Sequence, residues 1–169
     1  TDLGFLNGRV NKNWLYGGLR LSEPDPWKFS RSFDFNIYAN KQWTDAGLTI
    51  FENVNWWAGL RLKNYWFIGY GGEHNFEFLD DLDTRGGPPI VKPARNFHNF
   101  NINTDSRKRW GLGLFTNTNR DARGGWQHNT GINLRLQPSG RVQANLSANY
   151  NRARASAQID RIRLIFARG

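Results

Sequence analysis

The chain is 169 residues long and carries 23 Lys+Arg against 14 Asp+Glu, a formal net charge of +9. Hydrophobic residues make up only 38%, which makes a large globular core hard to fill, yet aromatics reach 15%, too many for a disordered chain. The absence of cysteine excludes disulfide scaffolds, thiol enzymes and cysteine-ligated zinc, and no run approaches the ~18 apolar residues of a membrane-spanning helix.

In chain order, nine strands are predicted: 13–22, 27–40, 46–62, 65–79, 95–104, 109–118, 126–137, 141–152 and 159–167. Each rests on period-2 alternation. Phe33, Phe35 and Ile37 alternate with Asp34 and Asn36; Trp126, Ile132, Leu134 and Leu136 share one parity against Gln127, Asn129, Asn133 and Arg135. Val142, Ala144, Leu146, Ala148 and Tyr150 alternate with Gln143, Asn145, Ser147 and Asn149. Side chains two apart lie on one face of a strand, so each segment has an apolar and a polar face. No window shows a helical stripe. The fold class is therefore all-β, an antiparallel up-and-down meander of about 8–9 long strands spanning 1–169 as a single domain.

Strand length and turn chemistry narrow this further. Predicted strands of 10 to 15 residues exceed the usual ~5–6, whereas a tilted strand needs about 9–11 to cross a bilayer. Glu23-Pro24-Asp25-Pro26, Lys63-Asn64, Asp105-Ser106-Arg107 and Pro138-Ser139-Gly140 mark short turns, with longer connections expected between them and the longest loop at 80–94. Such asymmetry is that of outer-membrane barrels. It puts Pro24, Asn64, Ser106 and Ser139 on the periplasmic side and Asp81, Arg85 and Pro88 outside. Rings near predicted strand ends, Trp14, Trp27, Trp43, Tyr65, Trp66, Trp110 and Trp126, form an expected interfacial belt. The expectation is a transmembrane β-barrel, or part of a larger one, with an Asn/Arg/Gly-rich interior.

Several segments carry a resemblance. They are Thr1-Asp2-Leu3-Gly4-Phe5-Leu6, Lys63-Asn64-Tyr65-Trp66, Leu82-Asp83-Thr84-Arg85-Gly86-Gly87-Pro88-Pro89, Asn103-Thr104-Asp105-Ser106-Arg107 and Leu136-Gln137-Pro138-Ser139-Gly140. Together they resemble the C-terminal membrane-associated β-barrel domain of a large bacterial outer-membrane family. Its members begin with a signal peptide and a family-nine-type carbohydrate-binding module, and the barrel domain itself has no assigned function. The resemblance implies a Gram-negative outer-membrane location and brings no catalytic residues. The chain departs from the family in lacking the carbohydrate-binding module. It also stops where more strands are expected, and nine is an odd count for a barrel that closes with even ones. The chain thus reads as part of a larger barrel, or its last predicted strand is not a membrane strand, and the expected partners are outer-membrane lipid and the remaining strands of a larger barrel or another copy.

Constellations for chemistry are sparse. His74, His98 and His128 lack any paired ligand spacing, so no metal site and no cofactor is expected. Asp80, Asp81 and Asp83 lack a regular Ca²⁺-loop spacing and read as a loop tip. Glu73 and Glu77 stand about 13 Å apart along a strand, too far for a glycosidase pair. No nucleophile elbow or phosphate loop occurs, so no enzyme is expected. Gly17-Gly18 and Gly71-Gly72 suggest bulges, close backbone approach or lumen crowding.

Interior-facing candidates are Arg20, Arg61, Asn133, Arg135, Arg141 and Asn145, and extracellular-loop candidates are Asp80, Asp81, Asp83, Arg85, Gly86 and Gly87. The arginines are read first as ion pairs and solvated ends, and second as a lumen favouring anions or a rim that meets phosphorylated glycolipid. The expected role is solute passage or surface glycan handling, with a glycan or small anionic solute as ligand. The competing class is a secreted β-sandwich binding glycan through its aromatics. A basic nucleic-acid module is a third, weakened because the cations scatter over all strands.

Overall fold

The computed structural model describes residues 11–80 and 88–155. Among the described residues the elements are all strands: β1 (Lys12–Glu23), β2 (Ser30–Thr44), β3 (Thr49–Leu62), β4 (Phe67–Asn75), β5 (Phe78–Asp80), β6 (Ile90–Lys92), β7 (Arg95–Asn103), β8 (Trp110–Asp121), β9 (Trp126–Ser139) and β10 (Val142–Arg154). Eight form one antiparallel sheet in the order β1-β2-β3-β4-β7-β8-β9-β10, and β5 pairs with β6 in a small separate hairpin. This is the all-β up-and-down meander that the alternation predicts, barrel-like but not closed. Within the described residues β1 and β10 each pair on one side only.

Asparagine and glycine are poor strand formers, so intrinsic propensity does not explain these strands. Cross-strand rows do. Phe33, Leu60, Ile68, Ile102, Leu114 and Ile132 stand opposite one another in succession across six strands. Each such pair contributes roughly 0.2–1 kcal/mol on top of the backbone ladder. The same register puts Leu15, Leu19, Leu21, Ile37, Trp56, Phe100, Leu112, Leu134, Leu146 and Tyr150 on this face.

Burial is inverted relative to a water-soluble domain. Among the described residues no apolar side chain is buried, while Ser30, Thr44, Asn53, Asn75 and Asp105 are. Leu15 is 65% exposed and Leu146 61%. On the inner strands the apolar positions Leu60, Ile68, Ile102 and Leu134 are half-buried, and on the edge strands they are exposed.

Connections differ from expectation. The segments after β2 (45–48) and β8 (122–125) are tight turns, as short as or shorter than 24–29 and 104–109, so the predicted short–long alternation is absent. β2 runs to Thr44 rather than 40 and β8 to Asp121 rather than 118. Their last residues are polar at both parities apart from Trp43 and carry little alternation signal, but they find partners: Lys12 opposite Thr44, Trp126 opposite Arg120. The predicted strand 65–79 stops at Asn75, where the Phe76 amide donates to the Glu52 carbonyl, 2.9 Å. The predicted loop 80–94 is no plain loop, because Ile90–Lys92 pairs with Phe78–Asp80. The predicted strand 159–167 lies outside the described residues.

No bulge occurs at the glycine pairs. Register runs unbroken through Gly17-Gly18 and Gly71-Gly72, and shifts instead at Ser30/Ser32, Gln42/Trp43 and Val142/Ala144. The glycines make room for rings. A Cβ on Gly71 would meet the Trp57 ring at 2.8 Å, one on Gly72 would run into Trp56, and one on Gly131 into Phe115.

Candidate functional site

The face opposite the apolar rows holds most of the chain's asparagines. Asn99, Asn117, Asn129 and Asn151 stand opposite one another across four strands, and Gly71 and Trp57 continue that row. The next rows hold Asn101, Phe115, Gly131 and Asn149, then Asn103, Gly113, Asn133 and Ser147. Trp57 lies flat across Gly59, Gly69 and Gly71 and stacks on Phe67 with centroids 6.4 Å apart. The Oδ1 atoms of Asn53, Asn75, Asn99, Asn119 and Asn129 are buried without a hydrogen-bond partner. Each amide offers both a donor and an acceptor, so such a wall can exchange hydrogen bonds with a hydroxyl-rich solute, and the rings supply flat apolar surface beside it.

Of the interior-facing candidates, Arg20, Arg61, Asn133, Arg135 and Asn145 all stand on this polar face. Arg141 does not: it sits in the two-residue turn 140–141, exposed, because β9 continues to Ser139. The ion pairs expected for these arginines are mostly replaced by other contacts. Arg20 approaches Asp34 at 3.5 Å, but Arg61 lies 5.8 Å from the Phe67 ring and Arg135 donates to the Ser106 and Lys108 carbonyls and to Gln137. Arg135 and Asn145 are neighbours across the sheet, whereas Arg20 is six and seven strands away from them.

The rings divide between the two ends. Trp27, Tyr65 and Trp66 lie in turns at one end, with Trp110 on the apolar face beside them, while Trp43 and Trp126 flank the apolar face at the other. Trp14 departs from the expected belt. Its parity puts it on the polar face opposite Gln42, since the apolar positions of β1 are the odd ones. Among the loop candidates, Asp80 ends β5 and lies 3.6 Å from Lys92. Asp81, Asp83, Arg85, Gly86 and Gly87 fall outside the described residues.

The β5–β6 hairpin leans to the polar side. Phe78 packs edge-on against Phe51, a polar-face position of β3, with centroids 6.0 Å apart. Arg123 donates to the Val91 carbonyl at 2.8 Å, tying the hairpin to the 122–125 turn. At the opposite end the turns are stitched together. Tyr65, held at φ +66, lies between Arg31 and Arg107, whose guanidinium carbons are 4.2 and 3.1 Å from its ring centroid. Arg107 grips Asp105 through Nε and Nη2 at 2.9 and 2.8 Å. That charge-assisted pair, helped by the Arg107 backbone amide, holds the Asp105 carboxyl down at about 2 and pushes the Arg107 guanidinium up.

The histidines all stand on the apolar face. Each takes a separate neighbour: His74 with Asn96, His98 with Tyr70, His128 with Thr130. The residues missed in the sequence are Trp57, Phe115 and the asparagine row. A signal existed, since Asn99-x-Asn101-x-Asn103 and Asn117-x-Asn119 repeat at strand period.

Comparison with protein-family models, with characterised proteins and with solved structures finds no match for this chain.

Proposed function

We propose that the chain is a segment of an outer-membrane β-barrel whose Asn/Arg/Gly-rich face lines a passage for a polar solute. One observation carries this reading: the apolar belt crosses the sheet on a diagonal. In β1 the apolar positions Leu15–Leu21 centre on residue 18, and the hydrogen-bonded row through Gly18 reaches Ala153 on β10. The apolar positions of β10, Val142–Tyr150, centre instead on residue 146. From β1 to β10 the slip is 153 − 146, seven residues over seven pairings, an average of one residue per pairing, and it is complete by β8, because Leu112, Leu134 and Leu146 stand in one row. One residue of about 3.3 Å per strand spacing of about 4.8 Å corresponds to a tilt of about 35°. Strands of a bilayer-spanning barrel tilt by about 35–45°, and a belt level with the membrane then crosses their rows at that angle.

The bare apolar face favours lipid over water, since exposed apolar patches beyond a few hundred Å² are rare on soluble monomers. The same absence of buried apolar side chains weighs against a β-sandwich. Among the described residues β1 and β10 each leave one edge unpaired, which lipid does not tolerate, so further strands or a second copy complete the wall. The Asn wall with Trp57 and Phe67 suits a neutral, hydroxyl-rich solute such as a glycan better than an anion. The β5–β6 hairpin, leaning to the polar side, narrows the passage.

The test is detergent dependence. The expressed chain should fold only in detergent or lipid and migrate differently on a gel before and after heating. A monodisperse, detergent-free monomer with native near-ultraviolet dichroism would overturn the reading.

A further inference from the structure

Past the edge of the apolar belt, at the end where the 45–48 and 122–125 turns lie, three arginines share the apolar face. Arg120 on β8 stands opposite Trp126 on β9, and Trp126 stands opposite Arg154 on β10. Two strand spacings separate the arginines, about 10 Å, with the indole between them. Arg152 is two residues nearer the belt on the same face and lies 5.7 Å from the Trp126 ring. All three arginines are exposed, and no described carboxylate pairs with them. By contrast Lys41 and Glu52, on the same face at the β2–β3 side, neutralise each other at 2.8 Å.

Height decides what these cations meet. The belt centre on β10 is Leu146, so Arg152 and Arg154 lie six and eight residues above it. At about 3.3 Å per residue and a tilt of about 35°, that is about 16 and 22 Å from the midplane. Arg120 stands eight residues from Leu112, the centre of the apolar run Trp110–Leu114 on β8, and shares a row with Arg154. Hydrocarbon ends about 15 Å from the midplane and the headgroup layer at about 20–22 Å. These guanidiniums therefore sit among headgroups.

Resting on the barrel reading, with the long 76–94 connection marking this end as the outer one, we propose that Arg120, Arg152 and Arg154, with Trp126 between them, bind the phosphate groups of a phosphorylated lipid of the outer leaflet. Guanidinium takes phosphate through two parallel hydrogen bonds. The indole packs against the lipid's apolar shoulder, and the acyl chains lie on Leu134 and Leu146 below. Phosphate supplies the counter-charge that no described carboxylate places on this corner.

The test uses the whole chain folded in neutral detergent, with heat-modifiable migration recorded in the same samples. Wild type, the triple variant R120Q/R152Q/R154Q and a polar-face control, R20Q/R61Q, are each mixed with phosphatidylcholine, phosphatidic acid or lipopolysaccharide, and retained lipid is counted by native mass spectrometry. Wild type and the control should retain phosphatidic acid and lipopolysaccharide, whose phosphates carry net negative charge, at least tenfold better than zwitterionic phosphatidylcholine, and the triple variant should lose that preference. A heat-modifiable triple variant that keeps the preference would overturn the site and leave the barrel standing. Displacement of the lipid by equimolar inorganic phosphate would show that the cluster binds free anion instead. A chain that folds without detergent would remove the barrel reading and this site with it.

Discussion

Replacing Leu134 by arginine puts a guanidinium at the centre of the apolar run Ile132–Leu136 on β9, the height that the diagonal belt assigns to the bilayer midplane. An arginine on the lipid face at that depth costs about 2–4 kcal/mol, falling to about 0–1 near the interface. Thr130 shares the face but lies four residues away, about 13 Å along the strand and about 11 Å in height at the inferred tilt. Thr130→Arg should therefore cost only about 0–1 kcal/mol. Asn133 stands on the opposite face, between Gly113 and Ser147, where a longer polar side chain has room, and Asn133→Arg should be close to silent. The three variants are folded into lipid vesicles, and urea midpoints are read by tryptophan fluorescence with the m-value checked for constancy. Equal losses for Leu134→Arg and Asn133→Arg would refute the assignment of faces. Equal losses for Leu134→Arg and Thr130→Arg would keep the faces and refute the belt's height and tilt.

Gly71→Val should destabilise by about 1–3 kcal/mol, because its Cβ meets Trp57 at 2.8 Å and the Trp56 carbonyl at 3.2 Å, while Gly17→Val, with nothing within 4 Å, should be tolerated in the same urea assay. The Asp105 carboxyl titrates below its ordinary range, so its contribution to stability is complete above pH about 4 and disappears as pH falls from there to about 2. Urea midpoints between pH 5 and pH 2 should fall more steeply for wild type than for Asp105→Asn; parallel curves would show that the Arg107 contact is not stabilising. In this cysteine-free chain, Ala46→Cys in the 45–48 turn should react on intact cells with a membrane-impermeant thiol reagent, and Ser106→Cys only after permeabilisation. The reverse pattern would invert the orientation.

Alternation alone was enough to specify the class of fold and the faces of its strands. Side-chain direction in a strand depends only on parity, so Leu134 and Leu146 were legible as one face and Asn133 and Asn145 as the other. What alternation cannot encode is the register between strands, because sliding one strand past its neighbour by two residues leaves every parity unchanged. Register is set by pairing across the whole sheet. It alone lines up Asn99, Asn117, Asn129 and Asn151, lays Trp57 over Gly71 and turns a level belt into a diagonal one. Strand ends were missed for a related reason: Lys41, Gln42 and Thr44, or Asn119, Arg120 and Asp121, are polar at both parities, and only a paired neighbour makes them strand. The corner of Arg120, Trp126, Arg152 and Arg154 belongs wholly to the tertiary structure. Its members come from three strands up to 34 residues apart, and the pairing of β8, β9 and β10 places them together on one face.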